Sequence, residues 1–237
     1  MHLWIRSEVR NFEKRVGITP NAVLELISKG FEVTVEESNS RALPIKEYRN
    51  AGANIVPSNS WPSAPDHAII FGLKELPENI ETLKHRHIMF GHAYKGQSGA
   101  SALLKRFKNG GGALYDLEYL LKKNGSRIAA FGYWAGFAGA AVSLKVWLHQ
   151  QNNKSPGPEN INIYAGRDEL IQDLVNEFDD KNINNLNKPN IIVIGGLGRV
   201  GKGAIELAKS LKINVTVWDV DETRNGGPFP EILNHNI

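Results

Sequence analysis

A glycine-rich turn near the C-terminal end constrains the fold of this chain more than any other segment. Residues 190–194 carry a run of β-branched side chains, and Gly196, Gly198 and Gly201 follow with the spacing Gly-x-Gly-x-x-Gly. A helical pattern then runs over residues 204–211. Glycines allow a tight turn and a close approach of the backbone to a pyrophosphate, and the free N–H groups of the helix N-terminus favour its charge. The pattern predicts the start of a dinucleotide-binding unit. A glycine-rich strand–helix turn that binds no ligand would have the same pattern.

An acidic residue follows this turn at the expected distance. Residues 214–218 predict a second strand that ends at Asp219, about 20 positions beyond the turn. A carboxylate there would bind the adenosine ribose and repel a 2′-phosphate, which favours NAD over NADP, whereas the nearby Arg224 is a counter-argument. Fewer than twenty residues follow Asp219, too few for the remaining strands of a Rossmann sheet. We therefore expect residues 190–237 to form a partial NAD-binding Rossmann domain.

The N-terminal part of the chain predicts a separate α/β domain. Short apolar strands alternate with helices over residues 1–130, which is typical of a parallel sheet. The turn Asn124-Gly125 leads into a further predicted strand over residues 127–130. The fold class is thus predicted as α/β with two Rossmann-like domains, both with parallel sheets and the second incomplete.

A long helix and a polar linker are predicted between these two domains. Residues 131–150 predict one connecting helix, with small residues throughout its first half. Glycines weaken a helix by roughly 1 kcal/mol each, so we expect close packing against another backbone to compensate. Residues 151–189 are polar and predict a linker with one amphipathic helix over 168–178.

Composition excludes several classes of function. The absence of cysteine excludes disulfides, thiolate nucleophiles and cysteine-based zinc sites. A net charge of +3 gives no case for nucleic acid. With no stretch of about 18 apolar residues and no signal peptide, we expect a cytoplasmic protein without a membrane partner. The histidines show no metal-ligand spacing, so no metal is predicted, and His85 and His87 are expected to be solvated in their charged stretch.

Two ionisable side chains follow predicted strands of the first domain. Lys74 comes just after an apolar strand, and His92 follows the next strand and a glycine. Parallel sheets bind ligands at the carboxyl ends of their strands, where a desolvated amine can act as a base and an imidazole can exchange protons near neutral pH. A solvated lysine paired with Glu75 and a structural histidine are the alternatives. Arg6, Arg10 and Arg15 follow the first strand and suit carboxylates, or else belong to a charged surface loop.

Taken in order, these segments resemble the NAD-dependent, lysine-forming saccharopine dehydrogenases, within the alanine dehydrogenase and transhydrogenase family. The matching stretches cover nearly the whole chain and are residues 6–8, 13–15, 72–78, 90–95, 114–118, 129–141, 195–201 and 218–229. The resemblance implies oxidation of saccharopine by NAD at its secondary amine to an imine, which water converts to L-lysine and 2-oxoglutarate.

The resemblance also implies residue roles. Lys74 corresponds to the base that takes the proton of the secondary amine, and His92 to the acid–base group for attack by water. Substrate-binding positions and their acidic neighbours are Arg10, Arg15, Lys95, Glu75 and Glu118. Cofactor-binding positions are Gly195, Gly196, Leu197, Gly198, Arg199, Val200, Gly201 and Asp219.

The resemblance also bears on completeness, because family members continue beyond residue 237. We therefore expect a truncated or split form, inactive without a C-terminal half. An alanine dehydrogenase-like enzyme and a non-catalytic nucleotide-binding module stay open as alternative functions.

Overall fold

The chain forms two compact units, Met1–Ala130 and Phe131–Ile237. The computed structural model describes residues 1–152, 156–164, 166–179, 188–226, 232, 234, 235 and 237. Residues 153–155, 165 and 180–187 of the predicted linker, and residues 227–229 of the last matching stretch, lie outside these described residues.

Unit 1 is built on a six-stranded parallel sheet. Its strands are β1 His2–Ile5, β2 Glu32–Glu36, β3 Asn54–Val56, β4 Ile69–Phe71, β5 Arg86–Met89 and β6 Ala113–Asp116. The spatial order is β3-β2-β1-β4-β5-β6, with every neighbouring pair parallel. This is the Rossmann order, in which the direction of winding reverses between β1 and β4 and leaves a crevice at their carboxyl ends. The predicted α/β fold is confirmed.

Helices and short 3₁₀ turns connect these strands. The helices are α1 Pro20–Ser28, α2 Ile45–Asn50 and α3 Ala100–Gly110, and the 3₁₀ turns are Trp61–Ser63 and Leu117–Tyr119. The start of α1 follows from local chemistry, because the Thr19 hydroxyl accepts a hydrogen bond from the Ala22 N–H and Pro20 fits the first helical position.

Apolar layers cover both faces of the sheet. Leu3 and Ile5 pack on one face and Trp4 on the other, as the alternation of side chains along a strand requires. Both faces of the central strands are therefore buried, which explains why these strands are continuously apolar.

The prediction that His85 and His87 are solvated is wrong. Both side chains are buried, and His87 lies edge-on between Trp61 and Phe107. Burial lowers the pKa of His87 to about 3, with the positive charge of Arg6 the next cause. The charged neighbours in the sequence were misleading, because strand alternation turns these rings inward.

The segment after β6 also differs from the prediction. The turn at residues 123–125 forms, with Gly125 in the left-handed region at φ 78°. Residues 127–130 do not make a strand, however, and only an isolated antiparallel bridge joins Leu121 to Arg127.

Unit 2 contains a parallel strand pair and four helices in its described part. The strands are β7 Ile191–Ile194 and β8 Val215–Trp218, and the helices are α4 Tyr133–Gln151, α5 Arg167–Phe178, α6 Arg199–Ser210 and α7 Val220–Thr223. A core of Phe137, Leu144, Leu174 and Leu207 joins these helices to β7.

Glycines explain how closely α4 and α6 pack. A Cβ on Gly136 would lie 1.8 Å from the Val200 carbonyl oxygen, and one on Gly203 would lie 1.8 Å from the Tyr133 carbonyl oxygen. The expected backbone contact of the glycine-rich helix is confirmed at Gly136. Gly139, in contrast, faces open space.

Candidate functional site

The predicted acid–base residues of unit 1 lie beyond adjacent strands at one edge of the sheet. In the sheet register Phe71 pairs with Ile88, and Met89 pairs with Asp116, so β4, β5 and β6 end side by side. Lys74 follows β4 and His92 follows β5.

Backbone hydrogen bonds hold the first two of these loops together. The Gly72 N–H donates to the Ile88 carbonyl at 3.1 Å, and the Phe90 N–H donates to the Leu73 carbonyl at 3.4 Å. The segments that carry Lys74 and His92 therefore run side by side beyond the end of the sheet.

The backbone of Lys74 is clamped from the loop after β1. Its N–H donates to Glu8 Oε2 at 3.0 Å, and its carbonyl accepts a hydrogen bond from the Arg6 guanidinium. Arg6 and Glu8 form a buried ion pair at 3.3 Å. A Cβ on Gly72 would lie 2.3 Å from Arg6 Nε, so only glycine leaves room for this guanidinium. The result is a fixed backbone beneath a half-buried Lys74 side chain.

Glu75 does not pair with Lys74. It forms an exposed ion pair with Arg10 at 3.3 Å instead, with both side chains more than half exposed. Exposed pairs of this kind contribute about 0–1 kcal/mol, so both side chains can change partners at little cost.

Arg15 binds the carboxylate of Glu13. Its Nε and a terminal nitrogen reach the two oxygens of Glu13 at 2.8 and 2.6 Å, in the forked geometry that arginine uses for carboxylates. The Arg15 hydrogen bond is the main cause that holds the pKa of the buried Glu13 carboxyl below its usual value. Arg15 itself is half exposed.

Glu118 gathers three cationic or ionisable groups. Its carboxylate contacts the Lys95 ammonium, His92 Nδ1 at 3.5 Å and an Arg127 nitrogen at 3.6 Å. The hydrogen bond from Lys95 is the main cause that lowers the pKa of Glu118. His92 is about one-third exposed and has a left-handed backbone with φ 49°, a strained conformation for a residue with a side chain.

Asp116 fixes the two loops that meet here. Its Oδ1 accepts hydrogen bonds from the Gly91 N–H at 3.2 Å and the Glu118 N–H at 3.0 Å. The His92 and Glu118 segments are thereby joined through the last residue of β6.

A pocket of about 530 Å³ opens beside His92. Met89, Phe90 and Leu103 supply apolar wall, while Gln97 and Arg106 supply polar groups. Its size and mixed lining suit a small molecule.

Three supporting carboxylates were missed as site residues by the sequence reasoning. They are Glu8, Glu13 and Asp116, and each acts through backbone groups or through an arginine rather than by facing the pocket. All three lie in stretches that resemble the family, residues 6–8, 13–15 and 114–118, and this is the signal that they leave in the sequence.

The glycine turn of unit 2 is as tight as its spacing predicts. Gly195 has φ 81°, and the N–H groups of Gly195 and Gly196 donate to the Trp218 carbonyl at 2.8 and 2.9 Å. A Cβ on Gly201 would lie 2.4 Å from the Gly195 carbonyl oxygen. Side chains are therefore excluded where backbone meets backbone.

The surroundings of this turn fit a dinucleotide. Gly198 is the N-cap residue of α6 and has no side chain with which to cap the N–H groups of the first turn, where Arg199 and the exposed Val200 lie. Asp219 Oδ2 accepts a hydrogen bond from the Leu197 N–H at 2.9 Å, which places the carboxylate beside the turn. A helix N-terminus for phosphate and a neighbouring carboxylate for ribose are what NAD requires.

None of the helices in the described part of the chain has the length and apolar character that crossing a bilayer requires.

A family model, alanine dehydrogenase/PNT, N-terminal domain, matches residues 4–138.

Curated relatives match nearly the whole chain. A saccharopine dehydrogenase [NAD(+), L-lysine-forming] of Candida glabrata is 46% identical over 240 residues, which cover 99% of this chain and 64% of the relative. Its counterpart in Schizosaccharomyces pombe is 44% identical over 100% of this chain and 66% of the relative. The resemblance to this group is confirmed, and the chain spans slightly less than two thirds of the length of these proteins.

Among solved structures, an L-alanine dehydrogenase superposes with a TM-score of 0.60 at 18% identity, over 94% of this chain and 56% of the other. This likeness concerns the fold alone. Because the family model covers more than half of the sequence, the chain belongs to the alanine dehydrogenase/PNT N-terminal domain family.

Proposed function

We propose that this chain carries the substrate site, and the beginning of the cofactor site, of an NAD-dependent, lysine-forming saccharopine dehydrogenase. The observation that carries the proposal is the placement of Lys74 and His92 on adjacent loops at the carboxyl edge of unit 1, among Arg10, Arg15 and Lys95. Identity of 43–46% to six curated enzymes with this name supports it.

In this proposal the two units divide the work. Residues 1–130 bind saccharopine, and residues 190–237 bind the adenosine and pyrophosphate of NAD through the glycine turn and Asp219. Bound NAD would supply the acceptor for the hydride. We also place the protein in the cytoplasm, without a nucleic-acid or membrane partner.

Lys74 is assigned the first proton transfer. A secondary amine must lose its proton before its carbon can give up a hydride, because a protonated nitrogen has no lone pair to stabilise the developing imine. The Lys74 amine accepts that proton, and the Arg6–Glu8 clamp fixes the backbone from which this side chain extends.

His92 is assigned the later proton transfers, in which water adds to the imine carbon and the resulting carbinolamine breaks down to lysine and 2-oxoglutarate. The imidazole removes a proton from the attacking water and returns one to the departing amine. Glu118, in contact at 3.5 Å, stabilises the charged imidazolium between these two transfers.

The cations of the site match the substrate. Saccharopine has three carboxylates, and Arg10, Arg15 and Lys95 are all at least two-fifths exposed at this edge. Each now holds a protein carboxylate, so substrate binding exchanges one carboxylate partner for another. L-Alanine has one carboxylate and would leave most of these cations without a substrate carboxylate to bind.

A turnover assay tests the proposal. The chain is incubated with NAD and either saccharopine or L-alanine, and NADH formation is followed for the wild type and for Lys74→Met, His92→Gln and Lys46→Met. Because we expect the chain alone to be inactive, the assay is run with the C-terminal part of the Candida glabrata relative fused to it. Saccharopine-dependent NADH formation should then fall by roughly 10²-fold or more in the first two variants, the usual contribution of an acid–base group. Lys46→Met, which changes an exposed lysine on α2, should retain the wild-type rate. A preference for L-alanine, or full activity of Lys74→Met, would overturn the proposal.

A further inference from the structure

We propose that a divalent transition-metal cation such as Zn²⁺ binds at the amino-terminal edge of the six-stranded sheet, between His2, Glu32 and His67. This edge is opposite to the one that carries Lys74 and His92, so the site is separate from the proposed reaction.

The three side chains converge on one point. One ligand atom from each, a ring nitrogen of His2 and of His67 and a carboxylate oxygen of Glu32, lies within 4.8 Å of the other two. His2 Nδ1 and Glu32 Oε2 are 3.8 Å apart. Ligands of a tetrahedral Zn²⁺ at bond lengths of about 2.1 Å lie about 3.4 Å from each other. Small movements of Glu32 and His67, which are both exposed, close that difference.

The orientation of the His2 ring prepares it as a ligand. Its Nε2 lies 2.8 Å from the hydroxyl oxygen of Thr34, which is buried on β2. With Nε2–H donating to that hydroxyl, Nδ1 carries the lone pair. Metal-binding histidines are generally oriented in this way by a hydrogen bond from their other ring nitrogen.

The other nitrogen of this ring, Nδ1, has no hydrogen-bond partner among the residues that the structure describes. It is buried and faces the Glu32 carboxylate. A buried polar atom without a partner is costly, and a bound cation would satisfy it.

The ligand set points to the kind of ion. Two imidazoles and one carboxylate, with room for water, suit Zn²⁺ and its first-row neighbours rather than Ca²⁺ or Mg²⁺, which prefer all-oxygen sites. Histidine spacing gave no metal prediction because the ligands come from three separate segments: β1, the start of β2 and the turn before β4. A cation would therefore join the starts of three strands.

Calorimetric titration of untagged, chelator-treated full-length chain with ZnCl₂ tests the proposal. The wild type is compared with His67→Gln and Glu32→Gln, which change exposed ligands without disturbing the core, and with His149→Gln, which removes a histidine of α4 outside the cluster. We expect one Zn²⁺ per chain, with affinity at least about tenfold weaker in the two ligand variants and unchanged in His149→Gln. Binding of Co²⁺ should give the visible absorption of a low-symmetry site in the wild type and not in His67→Gln.

Thermal unfolding gives an independent readout. Zn²⁺ should raise the unfolding temperature of the wild type and of His149→Gln, because a ligand that binds only the folded chain stabilises it. At the same Zn²⁺ concentration it should raise the unfolding temperature of His67→Gln less, because binding to that variant is weaker. No stoichiometric binding by the wild type, or equal affinity in His67→Gln, would overturn the proposal.

Discussion

The Glu8 carboxylate accepts a hydrogen bond from the backbone N–H of Lys74 at 3.0 Å, across the crevice between β1 and β4. The same carboxylate accepts from the Leu73 N–H at 2.7 Å and pairs with the buried Arg6. Glu8, a single residue of the loop after β1, therefore fixes the backbone of the proposed base after β4, at the point where the winding of the sheet reverses.

Replacing Glu8 should destabilise unit 1 strongly. Glu8→Ala leaves Arg6 as a buried charge without its partner, which typically costs about 3–5 kcal/mol, and Glu8→Gln should cost less because one acceptor oxygen survives. Urea unfolding measures this loss. Glu37→Ala, which removes an exposed carboxylate just after β2, serves as the control. Equal stabilities of Glu8→Ala and Glu37→Ala would contradict the clamp.

Two glycines of α4 should respond in opposite directions to alanine. Gly136→Ala places a Cβ against the Val200 carbonyl of α6 and should destabilise unit 2 by about 1–3 kcal/mol. Gly139→Ala enters open space and should stabilise it by roughly 0.5–1 kcal/mol, because alanine favours the helix. Denaturant titrations of the pair provide the comparison, and a stabilising Gly136→Ala would contradict the helix contact.

The buried His87 should make stability fall as the solution becomes acidic. Its pKa is about 3 in the folded chain against an ordinary 6.5, so between these values the unfolded state binds a proton that the folded state does not. Stability from this group is thus complete above pH 6.5 and declines toward pH 3, by up to about 1.4 kcal/mol per pH unit.

The free energy of unfolding, measured against pH, isolates this contribution. His87→Gln should lose that part of the slope, whereas His149→Gln, which changes a less buried imidazole, should keep it. If His87→Gln retains the wild-type slope, His87 does not titrate as its burial implies.

Asp219 should set the choice of dinucleotide. Its carboxylate lies beside the glycine turn, where we expect it to bind ribose hydroxyls and repel a 2′-phosphate. Asp219→Ala should therefore weaken NAD binding about tenfold or more and reduce discrimination against NADP. Asp168→Ala, which removes an exposed carboxylate of α5, should leave both affinities unchanged. Fluorescence titrations with the two cofactors give these values, and a wild type that prefers NADP would contradict the assignment.

Local sequence patterns predicted most of the fold. Alternating strands and helices, the Pro20 helix start and the Gly196–Gly201 spacing are short-range features whose geometry follows from a few neighbouring residues. The glycine-rich start of α4 even predicted a backbone contact, because glycine in a helix needs compensation. The prediction that His85 and His87 are solvated is wrong because charged neighbours in the sequence do not show towards which face of the sheet a side chain points.

The sequence pattern predicts candidate site residues only where those residues follow the ends of strands. Lys74 and His92 do so, and the parallel register brings their loops together. Long-range partners left no such signal: Glu8 holds the Lys74 backbone from another strand, and Arg15 is engaged by Glu13 rather than free. The metal-ligand cluster of His2 and His67 depends on sheet order, which spacing along the chain does not reveal.

Calorimetric titration of saccharopine into the chain, with NAD present, tests the central claim most directly. The account predicts that saccharopine binds in preference to L-alanine, and that Arg15→Ala and Lys95→Ala each weaken it about tenfold or more, as the loss of a hydrogen bond to a charged group would. Lys46→Ala should bind as the wild type does. No saccharopine binding, or undiminished binding by both Arg15→Ala and Lys95→Ala, would contradict it.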